Sequence, residues 1–488
     1  VGGVLYSIVV LRMLGPATYG ILNLGQAAVG LAGVLTTNVE SYLERFVAEL
    51  DARGMARVLR PLVRKILAVK TLLAIVAGVL IVLLADPIAT WYGYRDLRRL
   101  LPVLAPLVLL EGAYMVLRTT LFGLQRFRSI WIVALANNFM KLTIVVTLWR
   151  MHEGVVALVA GIVLMQVITV AGLALLCIRY LPREPVVESE VPTHRKIWGY
   201  VLPLFGARAF FLSGQHLNRL ILGALLSASE LGLAAFALMT LERFIALAGS
   251  IPNALLPTLS RLRGEGRDDA IEQVVTQGYR LVAGLAAAMT IGIYCLAREI
   301  TLITGGGEFV GAILPLQVLA LIPLFRTMQQ PINMSFYTYE KTRTVFWLAG
   351  LKFAVEPILY PLLIPRFGIA GVALSSLLSS VVVFGPTLSI GDRLFPHTAT
   401  DRRRVTLTAW TIGGAIVVAA FAAGRLPEPW PGLAARGLVL LAGLGAIVLL
   451  GRLIRGDDLR RLAEASQRAR TGRVLRATAG LLDRVQGS

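Results

Sequence analysis

Apolar stretches of about twenty residues recur along nearly the whole of this 488-residue chain, and no other feature narrows its possible folds so far. A bilayer core about 30 Å thick takes roughly 20 residues of helix, and within it each backbone N–H and C=O must be satisfied inside the segment. The chain is therefore expected to be an all-α polytopic membrane protein. About fourteen transmembrane spans fall at residues 1–14, 20–43, 66–90, 99–124, 129–149, 154–178, 197–226, 231–258, 279–303, 309–338, 343–365, 368–391, 405–424 and 433–454. Charged residues are 16% of the chain, too few for a soluble domain, where about 25% is usual. The first span is short and the chain opens on Val1, so the first helix is expected to be truncated. No small-residue cleavage site follows it, which argues against a removable signal.

A net charge of +20 could point to nucleic acid, but the placement of the charge argues otherwise. With loops assigned alternately to the two sides, roughly 31 Lys and Arg fall on one side, about 8 on the other and about 9 within spans. The basic side is read as cytoplasmic, and both termini are placed there. Residues 53–65, 125–128 and 401–404 are its most basic loops, whereas the outer loops are short and nearly neutral apart from 94–99.

The stretch LRMLGPATYG at 11–20 has a fainter copy, LLSASELG, at 225–232. One offset of 212 puts Leu14 and Gly20 on Leu226 and Gly232, and Leu50, Leu59, Leu62 and Val63 on Leu262, Ile271, Val274 and Val275. Further on, LQRFR at 124–128 corresponds to YEKTR at 339–343 with the offset drifting by two or three. This implies an N-lobe at 1–180, a polar, proline-bearing cytoplasmic linker at 181–196, and a C-lobe at 197–392. Six spans per lobe is an even number, so the lobes form a parallel repeat. Two additional helices occupy 405–454, and a basic amphipathic tail 455–488. Residues 53–66 carry Arg53, Arg57, Arg60 and Arg64 opposite Leu59, Leu62, Val63 and Ile66, as in an interfacial helix facing anionic lipid.

A Lys or Arg at mid-helix costs about 2.5–3.5 kcal/mol on insertion, so each one in a span needs a reason. Arg118, Lys141, Arg208, Arg219, Arg243, Arg326 and Lys352 are such residues, with Glu40, Glu111, Glu242 and Glu356 as possible companions. Lys70 and Arg436 lie near enough to span ends to snorkel. Arg208, Gln215 and Arg219 line one face of their span, and Glu111, Tyr114 and Arg118 another. Lys352 lies four residues before Glu356, which favours a neutralising pair within one helix. Cations without an acidic neighbour in their own span imply an anionic visitor. Prolines crowd the second half, where they permit kinks. No nucleotide-binding glycine loop, nucleophile motif or metal-ligand spacing is present, and Cys177 and Cys295 are read as buried small hydrophobes.

The segments LRMLGPATYGILNLGQA at 11–27, ERFVAEL at 44–50, LFGLQRFRSIWI at 121–132, SELGLAAFALMTLERF at 229–244 and ALLPTLSRL at 254–262 resemble the polysaccharide transporter family. These are the Wzx-type flippases of the MOP superfamily, to which lipid II flippases and MATE exporters also belong. The resemblance covers roughly residues 1–392. It implies a MOP flippase-like bundle that moves an undecaprenyl-diphosphate-linked oligosaccharide, such as an O-antigen, capsule or exopolysaccharide unit, across a bacterial inner membrane by alternating access. Its substrate-binding residues would be Arg12, Arg45, Arg118, Arg208, Arg219, Arg326, Lys141 and Lys352. Arg12 matches the first-helix arginine of an Arg-x-x-Gly element of lipid II flippases, and Arg45 resembles their second-helix arginine. Thr18 stands where those flippases carry a further arginine, which argues against a lipid II flippase proper.

Glu111, Glu242 and Glu356 are the candidates for taking a coupling proton or sodium ion. No cofactor and no resident metal are expected. The expected partners are the polyprenyl-diphosphate-linked glycan, anionic membrane lipids and glycan-assembly proteins, with no nucleic acid, and the chain is expected to be a monomer. A MATE-type cation-coupled exporter, or a membrane-embedded glycan polymerase or ligase, are the alternatives. The first predicts that acidic groups dominate the interior, and the second a sizeable outer loop.

Overall fold

The computed structural model describes residues 2–37, 55–182, 194–423, 437–439 and 441–443, together with 40, 43, 46–47 and 50. Among these the structure is helical and has no strands. The described residues contain ten helices long and apolar enough to cross a membrane. Helix α1 spans Gly2–Gly33 but is broken at Gly15, whose φ of 66° and ψ of 174° are not helical, so it holds both arms expected at the start of the chain. A positive φ suits glycine, and Pro16 then opens the second arm, where its missing N–H costs nothing. Helices α2 (Leu59–Tyr92), α3 (Arg95–Leu104), α4 (Pro106–Gly123), α5 (Phe127–Arg150), α6 (Val155–Tyr180) and α7 (His194–Leu225) follow. Helix α8 spans Ala228–Gly264 and α9 Asp268–Cys295.

The expected span at 309–338 is one of these apolar lengths, Gly307–Thr338, but it is built from several short segments. After α10 (Ala297–Thr304), a 3-10 turn at Gly307–Ala312 leads into α11 (Ile313–Leu319), α12 (Pro323–Arg326) and α13 (Gln330–Thr338). Pro323 and Pro331 lack the N–H that a continuous helix would use, and each opens a new segment. Helices α14 (Thr342–Phe367), α15 (Ile369–Leu394) and α16 (Ala399–Ala423) complete the described elements. Helices α7 and α16 are not among the ten apolar lengths, and the two arms of α1 count as one length. Most of 433–454, the linker at 183–193 and the tail at 455–488 lie outside the described residues.

The expected interfacial helix at 53–66 is not a separate element. Leu59, Leu62, Val63 and Ile66 are buried as their pattern implies, but they form the opening turns of the 34-residue α2.

Two compact units are seen, Val1–Gly232 and Leu233–Ser488. The first is built around Leu43, Leu59, Leu62, Ile66, Leu117 and Leu173, and the second around Tyr279, Ala283, Ile291, Met328 and Phe336. Local backbone repeats between them. Gln125 and Glu340, 215 residues apart, both take the left-handed conformation, with φ of 55° and 56°. The next amides bond equivalent carbonyls, Arg126 N–H to Leu121 at 2.9 Å and Lys341 N–H to Phe336 at 2.8 Å. At the earlier offset of 212, Met55 N–H bonds Leu50 and Arg267 N–H bonds Leu262.

Large apolar side chains remain exposed in belts on α2, α5 and α6, among them Leu72, Leu83, Trp131, Phe139, Leu164 and Leu175. Surfaces so apolar need hydrocarbon around them rather than water.

Candidate functional site

In the first unit, α4, α5 and α6 surround a hollow of about 260 Å³. Helix α4 presents Glu111, Tyr114 and Arg118 at intervals of three and four, which puts them on one face. Helix α5 adds Asn137, Asn138 and Lys141, and α6 adds Gln166 and Thr169. Asn137 donates to the Thr169 hydroxyl at 3.0 Å, and Gln166 donates to Glu111 at 3.3 Å. Lys70, Lys141 and Arg118 lie close enough to Glu111 to act on its charge, and so does Glu40. Two cations therefore border a polar hollow inside the span region with a single carboxylate beside them. Such a hollow offers hydrogen-bond donors and net positive charge, which is what a phosphate requires.

Lys70 departs from the sequence reading. It is 3% exposed and ion-paired to Glu40, so it does not snorkel to an interface. Because α2 begins at Leu59, Lys70 lies eleven residues along it, about 16 Å from the helix start.

In the second unit, Arg326 on α12 is ion-paired to Glu242 on α8. Lys352 on α14 is half-buried, with Arg326, Glu356 and Glu242 as its charged neighbours. Glu356 is 7% exposed and accepts the hydroxyls of Ser376 and Tyr360. Its partners thus include the Tyr360 hydroxyl one turn on along α14 and the Ser376 hydroxyl brought in from α15, beyond the Lys352 pairing that spacing suggested.

The remaining sequence candidates are scattered. Arg12 is exposed on α1, three residues before the break at Gly15. Arg219 is exposed on α7, next in charge to His216, whose ring lies against Gly30 of α1; a Cβ at Gly30 would sit 2.2 Å from that ring. Arg208 is part of α7, but its side chain lies outside the described residues, as does Arg45 altogether. Hence Glu111, Arg118 and Lys141 share one hollow, while Glu242, Arg326, Lys352 and Glu356 share one cluster.

A further network was not visible in the sequence. Arg402, placed by its basic neighbours in a cytoplasmic loop, is fully buried at the start of α16. It donates to Asp392 at 3.0 Å and to the Phe395 carbonyl at 2.7 Å, while Arg403 donates to the other oxygen of Asp392 at 2.8 Å. Alongside, Arg280 bonds Asp401 at 2.6 Å and Tyr279 meets Thr406 at 2.7 Å, fastening α16 to α9. Basic runs usually mark solvated loops, and only the return of Asp392 from α15 marks this one as core.

The fold and these intramembrane charges define a polytopic membrane protein with the MOP flippase-like fold. Its solved likenesses include a lipid II flippase, MurJ, in an inward closed conformation, with a TM-score of 0.69 and 14% identity over 91% of this chain and 96% of that one. An inward-facing multidrug resistance MATE transporter of the MOP superfamily superposes with a TM-score of 0.65 and 13% identity, over 80% of this chain and 94% of the other. The profile of the polysaccharide biosynthesis protein family matches residues 9–314, and the chain belongs to that family. A probable flippase, AglR of Haloferax volcanii, is 26% identical over 174 residues, which are 34% of this chain and 36% of that protein. The match thus spans about a third of that curated relative's length.

Proposed function

We propose that this protein is a flippase that moves a polyprenyl-diphosphate-linked oligosaccharide across a cytoplasmic membrane by alternating access, without catalysing a covalent step. The observation that carries the reading is the hollow bordered by Arg118 and Lys141 at membrane depth. Family membership and the flippase relative support it. Uncompensated cations there are costly, and the diphosphate of the lipid carrier supplies the compensating charge during passage. The Arg326 and Lys352 cluster, in which Glu242 and Glu356 balance the two cations, offers a second station, and there Glu242 already occupies Arg326. A diphosphate arriving there would displace Glu242, leaving the carboxylate free to take a proton or cation, so Glu242 is the favoured coupling residue.

The test is leaflet distribution of a fluorescent lipid-diphosphate oligosaccharide in proteoliposomes. The expected result is movement above that of empty vesicles, reduced in Arg118→Gln and Lys141→Gln. No movement in vesicles holding folded protein overturns the proposal.

A further inference from the structure

A groove of about 550 Å³ lies in the first unit, apart from the hollow of Arg118 and Lys141. Arg60 and Arg64 of α2 stand at its mouth, and its walls include Leu67 of α2, Leu117 of α4, and Ala174 and Ile178 of α6. Its size is within the roughly 300–1,000 Å³ of ligand-sized clefts. Arg60 and Arg64 are four residues apart, one helical turn, so both guanidiniums project along the same face. Among the described residues neither has a hydrogen-bond or ion-pair partner, and no carboxylate lines the groove. Both arginines occupy the first two turns of α2, and Ile178 the last turn of α6. Leu67 lies in the third turn of α2, and Leu117 and Ala174 lie six residues before the ends of α4 and α6, so the charged residues are at one end and the apolar lining extends inward from it. A charged end joined to an apolar floor has the polarity of an amphiphile, and a free anion would leave the floor unfilled.

We propose that this groove binds an anionic glycerophospholipid, its headgroup phosphate held between Arg60 and Arg64 and one acyl chain laid along Leu67, Leu117, Ala174 and Ile178. Arginine forks match phosphate oxygens, and basic pockets between membrane helices suit anionic headgroups. The site goes beyond the flipping reaction and does not require it.

The full-length chain in detergent, given phosphatidylglycerol or phosphatidylcholine, is examined by native mass spectrometry. About tenfold preferential retention of phosphatidylglycerol is expected. The Arg60→Gln/Arg64→Gln double variant should lose the preference. Ala174→Phe, which fills the floor but keeps both arginines, should lower retention by a similar factor; Ala174→Leu is the milder substitute if the first variant does not fold, judged by its melting temperature. Equal retention of both lipids by the unaltered protein overturns the proposal. So does undiminished retention in a folded floor variant, which would mean a general surface charge. Displacement of the lipid by millimolar inorganic phosphate overturns it as well, since an anion site would then suffice.

Discussion

Gly20 and Gly232, counterparts at an offset of 212 in the sequence repeat, pack backbone against backbone. A Cβ on Gly20 would lie 2.1 Å from the Ala228 carbonyl oxygen, and one on Gly232 would lie 1.8 Å from that of Pro16. Small residues let helix backbones approach this closely in a membrane. Because the obstructing atoms are main chain, no rotamer change relieves the clash. Gly20→Ala and Gly232→Ala are each expected to lower stability by about 1–3 kcal/mol, seen as a fall in melting temperature in detergent. An unchanged melting temperature in both would contradict the contact.

Arg402 and Asp392 are expected to behave as a buried pair. Arg402→Met leaves Asp392 uncompensated except for Arg403 and should cost about 3–5 kcal/mol. Adding Asp392→Leu removes the stranded charge, and most of the stability should return. A thermal-unfolding double-mutant cycle measures both steps.

The Lys70–Glu40 pair predicts the same pattern in the first unit. Lys70→Met should destabilise by about 3–5 kcal/mol, and adding Glu40→Gln should recover most of that loss. Full stability in the single variant would show that Lys70 reaches water after all.

Arg118 and Lys141 should separate function from folding. Both border a hollow, so Gln at either position is expected to change the melting temperature little. Flipping should fall about tenfold per site, equivalent to losing about 1.4 kcal/mol of differential interaction with the passing diphosphate. The paired measurement is initial flipping rate against melting temperature for each variant.

Glu265 provides a pH test outside the spans. A hydrogen bond from Arg261, helped by the charges of Arg261 and Arg267, holds its carboxyl below the usual carboxylate range. The folded-state pKa is thus lowered. Its stabilising contribution is present above the ordinary value of about 4.3 and is lost as pH falls through the lowered one. The turn after α8 should therefore exchange its amide hydrogens more slowly than that of Glu265→Gln at neutral pH, and the two should converge as pH falls through the lowered pKa. Exposure of the pair to solvent keeps the effect small.

Much of the fold was legible because a bilayer leaves few alternatives. Spans at 129–149, 154–178 and 343–365 correspond to α5, α6 and α14 within a few residues. The reading failed where a membrane helix runs beyond its apolar core. Residues 59–65 run without a break into α2, so no boundary separates the basic stretch from the span, and Lys70 is buried against Glu40 instead of lying at a span edge. At 309–338 the membrane length itself was legible, since Gly307–Thr338 is one of the ten apolar lengths, but its division into short helices was not, because hydropathy is continuous where the prolines interrupt the hydrogen-bond ladder. The site was half legible. Glu111 and Arg118 declare themselves by spacing along one helix, whereas Lys141 and Gln166 join them only through packing of separate helices.

The sequence by itself determined that the chain is a bundle of membrane helices with an internal repeat and charge at membrane depth. Hydrocarbon enforces length, helicity and scarcity of charge one segment at a time. The tertiary structure alone decided which charges are spent on each other, Lys70 with Glu40, Arg326 with Glu242 and Arg402 with Asp392, and which border a hollow. Pairing joins residues 10 to 84 positions apart, and its energy depends on distance and local burial, which no single stretch of sequence records.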